Sequence, residues 1–405
     1  MRPGAELSML QCIRDPEGPE IIVCCGSGGV GKTTLSAAIG LYGALAGKKT
    51  VVLTIDPARR LADSLGLKQF DTDVQRVPLE NLSIFHARPS SDAGLYAMML
   101  DAKGTFDQLV TRYAPPDLRR KILENHYYQH LSNNMAGSHE YMAMEKLYEI
   151  HTRQEYDLIV LDTPPSRRAL DFLDAPQRML NILGHQFFMN LFKPYLKTGK
   201  WGFRWLNIVA SPILKGIAKV IGSGPLEDFA GFMRLWDDIM FDGFSRRARA
   251  VRELLAGDRT LFLAVATPQR LPMEEALFLH DQLRRNHMPF GGFLVNRVHQ
   301  TSGGKSLEID EAAVFAETEM DLALKSKLIA VHRRFLKLAD SDARAVSRLV
   351  EAIGSGDRVV QISHAADEIV NLESLYQLSR QLDSIETPLS DGEKGFKIST
   401  HPLSF

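Results

Sequence analysis

The chain of 405 residues has little cysteine, no excess of either charge and no long apolar run. Its three cysteines, Cys12, Cys24 and Cys25, are too few for a disulfide framework and lack CxxC spacing, which points to a reducing, cytoplasmic setting. Lysine plus arginine, 48, balances aspartate plus glutamate, 49, so a uniformly basic protein is excluded and no nucleic acid is expected as a partner. No stretch of about 18 or more uncharged apolar residues occurs, so no membrane-spanning helix is expected. The opening MRPGAELSMLQCIRDPEGPE carries acids and prolines where a signal peptide needs an apolar stretch, and a soluble protein is expected. Glycine, proline and apolar residues occur in ordinary proportion, which excludes collagen-like and globally disordered chains. The length allows two or three units, or one large α/β domain with an insertion.

What is present is a β/α rhythm. Ile21–Cys25, Thr50–Thr54, Leu82–His86, Leu158–Leu161, Leu261–Ala266, Phe293–Val295 and Val359–Ile362 read as strands, largely apolar on both faces and separated by helical patterns. Such strands predict a mostly parallel sheet flanked by helices. Directly after the first of them, Gly26-Ser27-Gly28-Gly29-Val30-Gly31-Lys32-Thr33-Thr34 matches GxxxxGK[ST] and opens a helix. Glycines allow backbone N–H groups to converge, and the helix N-terminus adds partial positive charge, which together suit phosphate oxygens. In that reading Gly28 to Thr34 cradle the phosphates of ATP, Lys32 reaches the β/γ-phosphates and the Thr33 hydroxyl ligates Mg2+. A glycine-rich turn without function is the alternative.

Two carboxylates close strands near this loop. Asp56, in Thr54-Ile55-Asp56-Pro57, is placed to orient or deprotonate an attacking water, or is a turn residue before Pro57. Asp162 ends the apolar run Leu158–Leu161, the Walker B arrangement, which places it near Mg2+ through a water.

A further absence concerns acids. From Ala175 through Leu226 there is no Asp or Glu, against Arg178, Lys193, Lys197, Lys200, Arg204, Lys215 and Lys219, and the block 175–244 holds all three tryptophans. It divides the expected organisation into a P-loop core (1–174 and 245–382), a helical aromatic and basic insertion (175–244) and a mobile tail (383–405). Within the insertion Ile213, Ile217 and Val220 fall on one helical face and Lys215 and Lys219 on another. The apolar residues either line a surface for a hydrophobic helix or an anionic membrane, or pack the insertion's own core.

With these motifs together, the chain resembles the ArsA-type anion-transporting ATPases, which include the eukaryotic targeting factor for tail-anchored membrane proteins. The resemblance rests on GSGGVGKTT, TIDPARRLADSLG, AGSHEYMAMEKLYEI, YDLIVLDTPPSRRALDFLDAP and GGFLVNRV. It implies a deviant Walker A site, Asp56 acting on the hydrolytic water, Asp162 in the second switch and Asn296 reading adenine. Asp367-Glu368-Ile369 resembles a second adenine-side loop, which implies Glu368, and Gly137 with Glu140 resembles a PGxxE element. It also implies a nucleotide-driven dimer switch acting on a client, peripheral to a membrane. Ser27 departs from the family, whose loop carries a lysine there that reaches the partner's phosphates. Either another cation (Arg59, Arg60, Arg167 or Arg168) replaces that charge, as in a homodimer, or a related ATPase subunit in a heteromer supplies it. The three thiols cannot form the family's zinc clamp or metalloid site. A ParA/MinD-like positioning ATPase and an ATP-binding scaffold with little hydrolysis are the competing readings.

Overall fold

The computed structural model describes residues 11–55, 60–67, 73–82, 93–126, 128–129, 132, 138–164, 242–301, 321–354, 358–365 and 367–384. Strand β1 (Ile21–Gly26) is apolar up to its closing glycine and leads through the glycine-rich loop into helix α1 (Lys32–Leu45). There follow β2 (Lys49–Thr54), α2 (Arg60–Leu65), β3 (Gln75–Arg76), β4 (Gly94–Met99), α3 (Ala102–Tyr113) and α4 (Pro116–Leu123). Next come α5 (Ser138–Arg153) and β5 (Leu158–Asp162), then α6 (Asp242–Ala256), β6 (Thr260–Ala266), α7 (Arg270–Arg285) and β7 (Phe290–Val298). The described chain closes with the long helix α8 (Leu322–Ile353), β8 (Val359–Ser363) and α9 (Leu372–Ser384).

The strands form one sheet in the order β3-β4-β2-β5-β1-β6-β7-β8, parallel throughout except for β3, which pairs antiparallel to β4. Successive residues of one strand serve opposite faces, as the twofold period of a strand requires. Ile21, Val23 and Cys25 join Ile159, Leu161, Phe262 and Phe293 in the core beneath α3, α5, α6 and α7. Ile22 and Cys24 join Val160, Leu263 and Leu294 in the core beneath α1 and α9. Burial on both faces explains why these strands read as unbroken apolar runs. Gly40 and Gly43 let α1 lie close on the sheet: a Cβ at Gly40 would stand 2.4 Å from Val52 Cγ2, and one at Gly43 2.6 Å from Leu158 Cδ2.

Because the strands are parallel, the carboxyl ends of β1, β2, β5, β6 and β7 share one edge. The chain after β1 goes first to one side of it (β2, β4, β3) and later to the other (β6, β7, β8), so the order reverses at β1. That reversal opens a crevice at the sheet's carboxyl edge, where α/β sheets take their ligands.

The α/β sheet expected from the sequence is present, with one strand beside β2 that the sequence reading did not name. Leu82 lies in a bend after a 3-10 turn at Leu79–Asn81, residues 83–86 lie outside the described residues, and the strand beside β2 is Gly94–Met99. Its sequence GLYAMM lacks the β-branched residues that signal a strand, and its position is set by pairing with β2. β7 is also longer than expected, running from Phe290 to Val298. Of the block 175–244, residues 175–241 lie outside the described residues; α6 runs continuously across 244 and α9 runs to Ser384, past the expected start of the tail.

Candidate functional site

The loop between β1 and α1 is shaped by glycines in the left-handed half of backbone space. Gly26, Gly29 and Gly31 have φ of 155°, 79° and 95°. At Gly26 and Gly31 space is also lacking: an added Cβ would lie 2.2 Å from the Val265 carbonyl oxygen and 2.3 Å from Asn296 Nδ2, respectively. Gly31 is the N-cap of α1 and brings no side-chain hydrogen bond to the helix's first N–H groups. Helix N-terminal donors without a side-chain acceptor suit an anion. Gly28 and Gly29 are exposed, whereas Val30 is buried in the core under α1 and anchors the loop from below.

Beneath the loop, side chains from α1 and β2 converge on Asp162, the last residue of β5. Its Oδ2 accepts from the Thr33 hydroxyl at 2.8 Å and from the Thr54 hydroxyl at 2.9 Å. Asp162 is fully buried and Lys32 is only 6 % exposed, so the acid and the base of the site are both shielded from bulk water. Lys32 folds over the loop and donates from Nζ to the Ser27 carbonyl oxygen at 2.8 Å. Thr163 ties the end of β5 to β1 through its hydroxyl, which donates to the Cys24 carbonyl oxygen at 2.8 Å. Burial pushes the Cys25 thiol up to about 12 and raises that of Cys24 well above the ordinary range, with the Asp162 charge acting in the same direction. Both thiols lie on β1 and are buried, as small apolar residues on a central strand should be.

From the other side of β1, Asn296 near the end of β7 reaches the loop. Its Nδ2 donates to the Val30 carbonyl oxygen at 2.8 Å, and its Oδ1 accepts from the Arg297 N–H at 2.9 Å. Arg297 has φ of 60°, and the β7–β8 register shifts between Val295 and Val298. This bulge turns Asn296 out of the ladder toward the loop, the kind of re-aiming that bulges provide beside ligand sites.

Lys32, Thr33, Asp162 and Asn296, expected separately from the sequence, are therefore brought together around one loop, with Thr34 in the first turn of α1. Glu368 is exposed on the segment after β8, and Glu140 lies in the first turn of α5. Asp56, Gly137, Arg59, Arg167, Arg168 and the side chain of Arg60 lie outside the described residues. The Ser27 hydroxyl is buried with no hydrogen-bond partner among the described residues. Sequence reading missed Thr54 and Thr163. The available signal was a hydroxyl residue closing an apolar strand at the sheet's carboxyl edge, where an inward polar group needs a polar partner.

The family model for anion-transporting ATPases matches residues 19–219, a span that takes in the phosphate loop, β2 and β5. The chain belongs to the ArsA-like ATPase family. This ArsA-like ATPase is 26 % identical to "ATPase GET3" of Lachancea thermotolerans over 283 residues, 67 % of this chain and 70 % of that protein. It is 29 % identical to "ATPase ASNA1 homolog 1" of Paramecium tetraurelia over 277 residues, 67 % of this chain and 73 % of the relative. Similarity to "Putative arsenical pump-driving ATPase 2" of Aquifex aeolicus is lower, 24 %, but extends over 362 residues, 88 % of this chain and 97 % of the relative. Among the described residues of this ATPase, no group of three or more His, Cys, Asp or Glu is arranged to hold a metal, and no helix is long and apolar enough to cross a membrane.

Proposed function

We propose that this ATPase hydrolyses ATP in a Mg2+-dependent reaction that drives a dimer-based conformational switch, with residues 175–244 contacting a client protein's hydrophobic helix or an anionic membrane surface. The observation that carries the reading is the Thr33 hydroxyl seated on the buried Asp162 carboxylate directly under a glycine loop and a helix N-terminus. One hydroxyl and one carboxylate fit Mg2+, which takes few protein ligands and completes its shell with waters and substrate phosphates. Thr33 would hold the ion directly and Asp162 through a water. When bound, it neutralises charge on the β- and γ-phosphates.

The chain's own groups do the rest. Backbone N–H groups from Gly28 to Thr34 fix the phosphates, and Lys32 exchanges the Ser27 carbonyl for a phosphate oxygen. Asp56 positions the attacking water. Asn296 holds the loop in shape beside the base, and Glu368 approaches the adenine side from the segment after β8. The P-loop core comprises 1–174 and 245–382, with the tail beyond, and the protein works in the cytoplasm, peripherally at a membrane.

Ser27 favours a heteromer over a homodimer. A neutral hydroxyl turned inward cannot lend charge to a neighbour's phosphates, so a related subunit carrying the family's lysine completes the site. Size measurement of the pure chain by light scattering, with Mg2+ and a non-hydrolysable ATP analogue, separates the cases. A monomer that dimerises only with a subunit co-purified from its host supports the heteromer; full dimerisation of the pure chain with normal turnover removes it. Deleting residues 200–224 should abolish association with clients or anionic vesicles while sparing ATP binding, and retained association would contradict the role given to the insertion.

A further inference from the structure

Helix α8 carries one continuous stripe of which the second half is buried and the first half is not. In the C-terminal half Asp342, Ala345 and Leu349 are buried, and Ala345 and Leu349 join the core that includes Phe293 and Val295 of β7. Leu324, Leu328, Val331, Phe335 and Leu338 continue the same stripe toward the N-terminus in steps of 4, 3, 4 and 3 residues, yet they are 38 to 67 % exposed. At about 100° per residue these five fall within an arc of about 80°. So narrow a stripe, with Leu328 and Phe335 at heptad positions a and Leu324, Val331 and Leu338 at d, is the seam of a contact with one other helix. A helix lying in a lipid surface buries a broader apolar face.

The residues flanking a seam decide which helix it accepts. On one flank the g positions are Lys327 and Arg334, both exposed; on the other the e positions are Lys325 and His332, both half-buried. From Leu322 to Ala339 there is no acid, and Arg333 and Lys337 add two further bases. A second copy of this helix offers no carboxylate to these flanks in either orientation and sets base against base. Charge complementarity asks instead for a helix with carboxylates beside its own apolar seam.

We propose that the first half of α8 is the docking surface for a helix of another protein chain, one with apolar residues at a and d and glutamate or aspartate at e and g. Fluorescence anisotropy of the full chain with two labelled synthetic peptides of three heptads tests this. Both peptides carry Leu at a and d; one has Glu, the other Lys, at every e and g. The Glu peptide should bind about tenfold or more tighter than the Lys peptide at low salt, a preference that high salt should reduce. Val331→Asp should abolish binding of the Glu peptide. Lys327→Glu together with Arg334→Glu should weaken the Glu peptide and tighten the Lys peptide, a gain that a variant which merely misfolds would not show. No binding of the Glu peptide, equal binding of both, or an unchanged preference in the charge-reversed variant would overturn the proposal. So would self-association of the pure chain that Val331→Asp removes, as for a second copy, or binding to phosphatidylserine vesicles that Val331→Asp removes, as for a lipid surface.

Discussion

Of the three loop glycines with positive φ, Gly26 and Gly29 differ most in their surroundings, and that difference separates strain from steric exclusion. Gly29 has φ of 79° with nothing within 4 Å of an added Cβ, whereas at Gly26 the Cβ would meet backbone, the Val265 carbonyl oxygen, at 2.2 Å. Gly29→Ala should therefore cost about 1–2 kcal/mol in stability, the backbone term alone, and Gly26→Ala clearly more, because β6 must shift; urea denaturation of the two variants checks the order. Asn296 supplies a second prediction. Its amide holds the Val30 carbonyl, so Asn296→Ala should weaken ATP binding by about five- to tenfold, the worth of one hydrogen bond. Because the effect passes through the loop, GTP binding should fall by a similar factor; calorimetry showing a loss confined to ATP would assign the amide to the base alone. That Lys32, Thr33 and Asp162 meet at one loop was legible in the sequence, because a GK[ST] loop after one strand and a carboxylate closing another both fall at the sheet's carboxyl edge. The Asn296–Val30 contact was not, since it depends on a bulge and a left-handed Arg297 that no local pattern announces.

At the scale of elements, α5 and α6 are joined by a buried ion pair in which Arg247 Nε donates to both Glu145 oxygens, at 3.0 and 2.8 Å. The guanidinium lies 4.2 Å from the centre of the Tyr113 ring, and the Tyr141 hydroxyl also bonds to Glu145. Burial raises the Glu145 carboxyl above its usual range, and Arg247 opposes that rise. Arg247→Met should thus destabilise the protein by about 3–5 kcal/mol near neutral pH, by leaving a buried carboxylate without its base. The sign with pH follows: without Arg247 the folded-state pKa of Glu145 rises further, so the deficit should shrink as pH falls through it and Glu145 takes a proton. Denaturation curves at pH 5 and pH 8 measure both effects. Six of the eight strands of this sheet were readable from the sequence because burial on both faces makes them largely apolar. β4 was not, because GLYAMM owes its strand to the neighbouring β2 rather than to its own propensity.

For the whole molecule, near-neutral net charge conceals an uneven distribution. The block from Ala175 to Leu226 and the first half of α8 are both basic and without acids, and the segment before α8 is acidic. Buried thiols at the centre of the sheet give the fold a dependence on alkaline pH. The folded-state thiols of Cys24 and Cys25 are raised, Cys25 to about 12, so their contribution is complete below the unfolded thiol pKa and is lost as pH rises from there toward 12. Each should lower stability by up to about 1.4 kcal/mol per pH unit in that window, and wild type should lose more between pH 8 and 10 than a Cys24→Ala/Cys25→Ala variant. The candidate site draws on β1, β5 and β7 and on the first turn of α1, elements separated by more than two hundred residues of sequence, and the order of strands brings them to one edge. The central claim is that this edge hydrolyses ATP through Lys32, Thr33 and Asp162. Steady-state ATP turnover in Mg2+, measured for the native assembly with wild-type chain, Lys32→Ala and Asp162→Asn, tests it most directly. A fall of about a hundredfold or more in both variants is predicted, and turnover equal to wild type in either would contradict the account.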